Sequence, residues 1–293
     1  MRARPPVLPT LLGLLGALLL CGATCGAPPA SGPAAIDWTA PSLERLTAHE
    51  REQVSAAAEA LACPCGGPRT LDQCAARPQC PRGERRVRIA AALARLGASA
   101  TEIIGELHAY ETALTSPAAI ALGEAGCKGE ESAPVTLVAF SDFECPACAN
   151  LPLLVDSLLE RRPGQARFCF KHFPLSSHAR AREAAQAAEF ARRRGRFWQM
   201  HDSLFERQHE LSREDLEARV RALGLDAAEF GRAVDAGWLL AAVLASREEG
   251  RRLGVGGTPT LFINGCRLTL PPSPEILELA IEDEFERRQG ARP

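Results

Sequence analysis

The sequence predicts an α/β protein with a helical insertion, preceded by a small all-helical domain that contains cysteines. Two apolar runs of strand length, Val135 to Phe140 and Leu261 to Ile263, lie on either side of a long stretch with helical periodicity. Before them, helical patterns with start and stop residues fill most of the chain from Ser42 to Leu114. The chain is therefore predicted to have a helical region first and an α/β region after it.

A secretory signal is predicted at residues 1–27. Arg2 and Arg4 precede the apolar run Leu11 to Leu20, and small residues follow through Ala27. The apolar run is too short to span a membrane comfortably. A charged start, a short apolar centre and a small-residue end together indicate export.

Cleavage is expected after Ala23 or Ala27, with lipid attachment to Cys21 or Cys25 as the alternative. Removing 27 of the 293 residues leaves 266, enough for a core-bearing domain and a smaller one. Residues 28–40 are rich in Pro, Ala and Gly and are expected to be a loose linker.

Charge and cysteine content restrict the classes of function. The 34 Lys and Arg against 36 Asp and Glu give no overall basic field, so no nucleic-acid partner is expected. Eleven cysteines suit an oxidising compartment. Nine remain if cleavage follows Ala27, and an odd number leaves at least one thiol unpaired. The composition and the signal predict a periplasmic or otherwise extracytoplasmic protein.

The small helical domain is predicted at residues 41–126. An apolar stripe indicates a helix from Ser42 to about Ala62, and a second helix covers about Glu84 to Leu96. The capping box that begins at Ser99 opens a third helix, which ends near Leu114. A cysteine-rich loop lies between the first two helices.

That loop contains Cys63, Cys65, Cys74 and Cys80. Four cysteines so close together predict two structural disulfides, a zinc site or a second redox centre. Disulfides are favoured because helical hairpins of this size commonly need a covalent link.

The α/β domain is predicted at residues 132–290. Its strands are expected at Val135 to Phe140 and Ala166 to Phe173, its active-site helix at Ala147 to about Glu160, and its helical insertion at 178–243. Further helix starts are expected at Ser212, Asp226 and Ser273-Pro274.

The strongest functional signal is Cys145-Pro146-Ala147-Cys148, which follows the first strand directly. Two cysteines three residues apart lie on one face of a helix's first turn, where they can close a disulfide or stand as two thiols. Unpaired N–H groups and the helix dipole stabilise a thiolate there, so Cys145 is the expected nucleophile and Cys148 the resolving cysteine. Thr258-Pro259, between a glycine pair and a strand, is a candidate cis-proline site.

These motifs and the residues around them resemble the DsbA-like branch of the thioredoxin superfamily, from about Ala133 to Glu282. The resemblance implies a thioredoxin fold in which Pro259 is cis and faces the dithiol. It also implies that the backbone at Thr258 pairs with an extended substrate segment. The blocks that carry it are Phe140-Ser141-Asp142-Phe143-Glu144-Cys145-Pro146, Lys171-His172-Phe173-Pro174-Leu175, Gly195-Arg196-Phe197-Trp198 and Gly254-Val255-Gly256-Gly257-Thr258-Pro259-Thr260.

The chain departs from that family at two positions. Ala147 stands where strongly oxidising relatives carry an imidazole, so a milder thiolate shift is expected. Ala139 stands where the family often carries a buried Glu, so the base for the resolving step is not identified.

A second resemblance, to the CcmH-like helical domain of cytochrome c maturation, covers about Leu61 to Tyr110. It rests on the cysteine loop and on the run from Ala94 to Ile104. Here the pair is Cys63-Pro64-Cys65, whereas that family carries C-x-x-C, so its thiol chemistry is not transferred.

Several other residues have less specific expectations. Cys169 is expected to be a buried, inert thiol, and Cys127 and Cys266 are a candidate pair across the edge of the core. Lys171 and His172 are expected to face solvent. The remaining expectations are an exposed Glu144 and a core role for Phe197, Trp198 and Phe205.

The predicted function is an exported thiol-disulfide oxidoreductase that exchanges disulfides with cysteine-containing protein substrates through Cys145 and Cys148. No diffusible cofactor and no metal is expected for this chemistry, and a membrane redox partner is expected. Two alternatives remain: a thiol reductant in cytochrome c maturation, and a non-catalytic holdase or assembly module. Zinc capture by the four cysteines of the N-terminal loop is a third.

Overall fold

The computed structural model of the protein describes residues 36–123 and 125–290. The expected signal at 1–27, including both cleavage sites and Cys21 and Cys25, lies outside the described residues. So does most of the expected linker. The part of the linker that is described is packed, because Ile36 is buried and Trp38 contacts the hydrophobic core.

Four helices precede the sheet. They are α1 (Ala48–Ala60), α2 (Leu71–Ala75), α3 (Pro81–Arg95) and α4 (Ala100–Ala113). The first begins later than predicted, because the side chains of Thr47 and Glu50 form a capping box that fixes its start. The predicted capping box of Ser99 and Glu102 is present at the start of α4.

Five strands form one mixed sheet in the order β1-β3-β2-β4-β5. Strand β2 lies at its centre, parallel to β3 and antiparallel to β4. The edge strand β1 was not predicted, since its four residues carry no alternation of apolar side chains. The strands are β1 (Gly126–Gly129), β2 (Val135–Ser141), β3 (Ala166–His172), β4 (Thr260–Ile263) and β5 (Cys266–Arg267).

Five helices connect β3 to β4, so the predicted helical insertion is present. The last of the five helices ends at Arg252, close to Leu253, where the sequence predicts the end of a helix that returns the chain to the sheet after the insertion. Ser212 and Asp226 are helix N-caps, as predicted. The helices are α6 (Ala181–Arg192), α7 (Phe197–Glu206), α8 (Arg213–Ala222), α9 (Ala227–Asp235) and α10 (Leu240–Arg252).

Both faces of β2 are buried, each in a separate hydrophobic cluster. Leu137 and Ala139 face the larger cluster, and Val138 and Phe140 face the smaller one. On the smaller side α10 comes close to the sheet at Gly250, where a Cβ would lie 2.7 Å from Phe173 and 2.9 Å from Phe140. Only a residue without a side chain permits this approach.

The last helix, α11 (Pro274–Gly290), joins the N-terminal helices to the sheet. Its Asp283 is fully buried and accepts hydrogen bonds from Arg85 Nε at 3.2 Å and Arg86 Nη2 at 2.9 Å. Arg85 also makes two 2.7 Å hydrogen bonds to Glu286. The helical region and the α/β region therefore share a buried ionic contact as well as one hydrophobic core.

Within the described residues, no helix is long and apolar enough to cross a membrane.

Candidate active site

The Cys145–Cys148 motif lies between the end of β2 and helix α5 (Leu151–Arg161). Cys145 is the N-cap residue of a short 3₁₀ turn, Pro146–Cys148, whose last residue is Cys148. The pair is therefore not in the first turn of a continuous α-helix as predicted. Pro152 explains the difference, because it has no N–H to donate to the carbonyl of Cys148. Both cysteines are free thiols in this structure.

Burial distinguishes the two thiols. Cys148 is fully buried, whereas Cys145 retains 7% of its surface. Burial raises the pKa of the Cys148 thiol to about 12. Cys145 is therefore the more accessible of the two sulfurs, and Cys148 is a thiol that keeps its proton near neutral pH.

Two hydroxyl groups face the Cys148 thiol. The hydroxyls of Ser141 and Thr258 and the backbone of Asp142 act against burial and lower the pKa of Cys148. Both hydroxyl oxygens are buried and have no other hydrogen-bond partner among the described residues. They are donors placed beside the position where a thiolate would form. Sequence reasoning missed Ser141, although it directly follows the predicted strand.

The Thr258–Pro259 peptide bond is cis and lies opposite the dithiol. The Cys145 Sγ donates a hydrogen bond to the carbonyl oxygen of Thr258 at 3.3 Å. Two segments separated by more than a hundred residues therefore meet at one sulfur. This arrangement was expected from the resemblance to DsbA-like proteins.

Asp142 holds the loop that carries Cys145. Its buried carboxylate accepts hydrogen bonds from the N–H of Glu144 and the N–H of Leu175, both at 2.8 Å. His178 Nδ1 lies 2.8 Å from the same carboxylate. Because two of these partners belong to the segment after β3, Asp142 ties the dithiol loop to the start of the insertion. The sequence analysis assigned Asp142 no role, although an acidic residue directly after a buried strand could have indicated one.

The insertion contacts the dithiol loop in two further ways. The side-chain amide of Gln208, which follows α7, donates to the carbonyl oxygen of Cys145 at 2.7 Å. Phe143 stacks on Phe170 at a centroid distance of 5.0 Å and packs against Phe205 at the same distance. Phe197, Trp198 and Phe205 belong to this aromatic core, in agreement with the expectation from the sequence.

Three residues near the site differ from expectation. His172 is buried, and burial lowers its pKa to about 4, so the ring is neutral at pH 7. Lys171 is largely buried as well, with its Nζ 2.7 Å from Glu249. Both had been expected to face solvent. Glu144 is half-buried, and its carboxylate accepts from the N–H of Arg180 at 2.6 Å.

The cysteines of the sheet are paired differently from the prediction. Cys169 is bonded to Cys127, which lies directly opposite it on β1, so it is not a free thiol. Cys266 is not the partner of Cys127, and it is a free, buried thiol whose pKa is raised by burial. The pairing depends on the register of β1 with β3, which the sequence did not reveal.

The four cysteines of the N-terminal loop form two disulfides, Cys63–Cys74 and Cys65–Cys80. The sulfurs of Cys63, Cys74 and Cys80 lie within 4.8 Å of one another, a spacing that a metal site also requires. A zinc ligand is a thiolate, however, and each of these sulfurs is bonded to another sulfur. In this state the residues do not fit a metal.

Comparison with curated proteins gives partial matches. The chain is 35% identical over 158 residues to a protein named Na(+)/H(+) antiporter NhaA 1 from Mycolicibacterium gilvum, covering 53% of this chain and 26% of that protein. It is 38% identical over 160 residues to the protein of the same name from Salinispora arenicola, covering 54% of this chain and 24% of that protein. The chain thus spans about a quarter of the length of these relatives.

Comparison with solved structures gives the fold. The structure of oxidised BdbD from Bacillus subtilis matches with a TM-score of 0.51 and 21% identity, covering 58% of this chain and 97% of that chain. A thioredoxin-like oxidoreductase from Silicibacter pomeroyi matches with a TM-score of 0.50 and 23% identity, covering 58% and 94%.

The family model described as Thioredoxin matches residues 124–283, which is more than half of the chain. The match begins after the N-terminal helices, so the resemblance of Leu61 to Tyr110 to CcmH-like domains stays a prediction. Within the matched residues lie the dithiol, the cis-proline and the five-stranded sheet with its helical insertion. The chain belongs to the thioredoxin family and has the thioredoxin fold with a helical insertion that the sequence predicts.

Proposed function

We propose that the chain is an extracytoplasmic thiol-disulfide oxidoreductase that exchanges disulfides with cysteine-containing proteins. The observation that carries this proposal is the contact between the Cys145 sulfur and the carbonyl of Thr258, 3.3 Å apart. The Cys145 thiol, which keeps 7% of its surface, the fully buried Cys148 thiol and the cis-proline loop lie around one point.

The oxidising reaction begins with the Cys145–Cys148 disulfide. A substrate thiolate attacks the Cys145 sulfur, a mixed disulfide forms, and Cys148 leaves and takes up a proton. A second substrate thiolate then attacks the substrate sulfur of that mixed disulfide and releases Cys145. The substrate loses two electrons and two protons, and the enzyme gains them.

The reducing reaction runs the same steps backwards and depends on Cys148. Cys148 has to lose its proton before it attacks Cys145 in the mixed disulfide, and its pKa of about 12 opposes that loss. Ala139 supplies no acid-base group at the position where the family often has Glu. The hydroxyls of Ser141 and Thr258 are the groups that stabilise the Cys148 thiolate here.

Substrate binding is assigned to the Thr258–Pro259 loop. The chain passes into β4 just after this loop, at Thr260. Among the described residues, the N–H of Thr258 donates to no protein acceptor. An extended peptide can accept that hydrogen bond beside Cys145, which is how edge backbone recognises a substrate strand.

Three disulfides in the described residues support an oxidising compartment, and the predicted signal at residues 1–27 supports export. Each catalytic cycle changes the redox state of the dithiol, so a second exchange partner has to restore it. We propose a membrane redox protein for that role, with no diffusible cofactor.

The test is to trap the mixed disulfide with the full chain. Cys148→Ser, incubated with a disulfide-containing peptide, is expected to accumulate one covalent adduct at Cys145, visible by mass spectrometry. Cys145→Ser is expected to form none. Cys266→Ser is the matched control, because it removes another buried free thiol and should leave exchange unchanged. Absence of an adduct, or equal turnover by Cys145→Ser, would contradict the proposal and favour the holdase alternative.

The reduction potential of the Cys145/Cys148 pair decides the direction of exchange. It should be measured on the full chain, because a fragment that begins near Ser132 would lack β1 and would uncover Asp283. A potential near those of disulfide donors supports an oxidase or isomerase. A much lower one supports a reductant such as the cytochrome-pathway alternative.

A further inference from the structure

The four cysteines of the N-terminal loop lie close enough together to exchange partners. Cys63 and Cys80 belong to different disulfides, yet their sulfurs are 3.7 Å apart. The sulfurs of Cys80 and Cys74 are 3.9 Å apart. Cys80 is therefore in near contact with both sulfurs of the other disulfide. Two disulfides that only stabilised the loop would not require this.

The packing of α3 depends on this sulfur cluster. A Cβ at Gly83 would lie 3.1 Å from the Cys80 sulfur and 3.2 Å from the Cys74 sulfur. Gly83 is inside a helix of fifteen residues, where glycine costs about 1 kcal/mol relative to alanine. The glycine leaves room for the sulfurs of two different disulfides on one side of the helix.

The four cysteines of the loop differ in their exposure to solvent. Cys65 is exposed, whereas Cys63, Cys74 and Cys80 are buried. Nothing lies within 4 Å of the Cβ positions of the neighbouring Gly66 and Gly67, so this side of the loop is open. An incoming thiolate can therefore approach Cys65, and the other three cysteines are screened from it.

Cys80 is also well placed to carry a negative charge. It is the N-cap residue of α3, where the positive end of the helix dipole favours an anion. The helix dipole at such a position helps the sulfur to leave a disulfide as a thiolate.

We propose that Cys63, Cys65, Cys74 and Cys80 form a second redox site, in which electrons enter at Cys65 and pass through Cys80 to the buried Cys63–Cys74 disulfide. The electron donor is a protein dithiol. This site is independent of Cys145 and Cys148, and it stands or falls separately from the function proposed for them.

The transfer takes place in three thiol-disulfide exchanges. A donor thiolate attacks the Cys65 sulfur, which forms a mixed disulfide, breaks Cys65–Cys80 and releases Cys80 as a thiolate. Cys80 attacks Cys63, which forms Cys63–Cys80 and releases Cys74, and Cys74 takes up a proton. The second donor thiol then attacks the donor sulfur of the mixed disulfide and frees Cys65, which takes up the other proton. The donor loses two electrons and two protons, and the site keeps one rearranged disulfide.

The first test uses the full chain with all four loop cysteines intact and with Cys145→Ser and Cys148→Ser in the background. The protein is reduced with less than one equivalent of dithiothreitol, quenched with acid and alkylated, and its disulfides are mapped by mass spectrometry. We expect a one-disulfide species in which Cys80 is bonded to Cys63 or Cys74. If every one-disulfide species carries only Cys63–Cys74 or Cys65–Cys80, the proposal is wrong.

The second test compares two double variants in the same background. In Cys65→Ser/Cys80→Ser, reduction of Cys63–Cys74 by dithiothreitol is expected to be at least about tenfold slower than in the intact cluster, because the route through Cys80 is gone. In Cys63→Ser/Cys74→Ser, reduction of Cys65–Cys80 should keep its rate, because Cys65 is attacked directly. An unchanged rate for Cys63–Cys74 would refute the relay. If a variant misfolds, the disulfide map of the chain with all four loop cysteines still tests the proposal.

Discussion

Ser141 and Thr258 each place a buried hydroxyl beside the Cys148 thiol. Burial favours the neutral thiol, and the two hydroxyls favour the thiolate, so the balance between them sets the rate at which Cys148 can resolve a mixed disulfide. Because Ala139 supplies no acid-base group to Cys148, the ionisation of this thiol depends more strongly on the two hydroxyls.

Ser141→Ala is expected to raise the pKa of Cys148 further, because it removes a hydrogen bond to the thiolate. A hydrogen bond to a charged group is worth roughly 1.5–3 kcal/mol, so release of substrate from the mixed disulfide should slow about 10- to 100-fold at pH 7. Stopped-flow measurement of this step against pH checks the prediction. Ser246→Ala is the control, because that hydroxyl is equally buried and without a partner but does not face Cys148. Equal rates in the parent and Ser141→Ala would remove Ser141 from the mechanism.

His172 predicts a dependence of stability on pH. Its pKa is about 4 when folded, below its ordinary value of 6.5, so the unfolded chain binds the proton more readily between these values. Stability should therefore fall as pH is lowered from about 6.5 to 4, by roughly 3 kcal/mol from this residue. His172→Phe keeps an aromatic ring beside Phe170 and should reduce the slope in urea unfolding. A smaller slope should remain, because burial also lowers the pKa of His201. Replacing the exposed His108 in the same way should change nothing.

At the scale of elements, the sequence predicted helix starts from local signals, but it did not predict which distant strands and cysteines pair. Ser99, Ser212 and Asp226 cap their helices through hydrogen bonds to residues two or three positions away, which the sequence displays directly. The Cys127–Cys169 disulfide depends on the register of two strands that are far apart in the chain. Strand β1 itself has no apolar pattern, so nothing local indicated it.

The site around the dithiol likewise has features that local motifs predict and features that depend on long-range contacts. Its cysteines and the cis Thr258–Pro259 bond follow from motifs, whereas the hydroxyl of Ser141 and the amide of Gln208 act through contacts that only the folded chain creates. The burial of His172 was missed for the same reason, because the aromatic rings around it come from other elements.

Helix α10 approaches the sheet through Gly250, which makes that glycine sensitive to substitution. Gly250→Ala places a Cβ 2.7 Å from the Phe173 ring and 2.9 Å from the Phe140 ring. Overpacking of this kind costs about 1–3 kcal/mol, and we expect that loss in chemical denaturation. Gly105→Ala on α4 is the matched control, since no atom lies within 4 Å of its Cβ position. It should be neutral or stabilising by up to about 1 kcal/mol through helix propensity. Equal effects of the two substitutions would contradict the close approach of α10.

At the scale of the whole molecule, the N-terminal helices and the thioredoxin region are joined by charge as well as by apolar packing. Arg85 and Arg86 on α3 and Asp283 on α11 are nearly inaccessible to solvent. Buried charges are tolerated only when they are paired, so each side of this contact depends on the other. The helical region is for this reason expected to be required for the stability of the oxidoreductase region.

Asp283→Asn tests that dependence. Burial alone would raise the pKa of Asp283, but the charges of Arg86 and Arg85 hold it below its ordinary value. The carboxylate therefore contributes stability above about pH 4, and this contribution is lost as pH falls through its lowered pKa. At pH 7, Asp283→Asn removes the buried carboxylate that Arg85 and Arg86 share, although Arg85 keeps Glu286 and Arg86 keeps Glu111 as partners. Loss of these charge-assisted hydrogen bonds should cost about 1.5–3 kcal/mol in urea unfolding. The neighbouring Glu282 forms only longer ion pairs, 3.9 Å to Arg88 and 3.6 Å to Arg162, so Glu282→Gln should cost less than about 1 kcal/mol. The difference between the two variants should shrink below pH 4. If Asp283→Asn costs no more than Glu282→Gln, the ionic contact does not join the two regions. If it unfolds them in separate transitions, the helical region is not required for the stability of the oxidoreductase region.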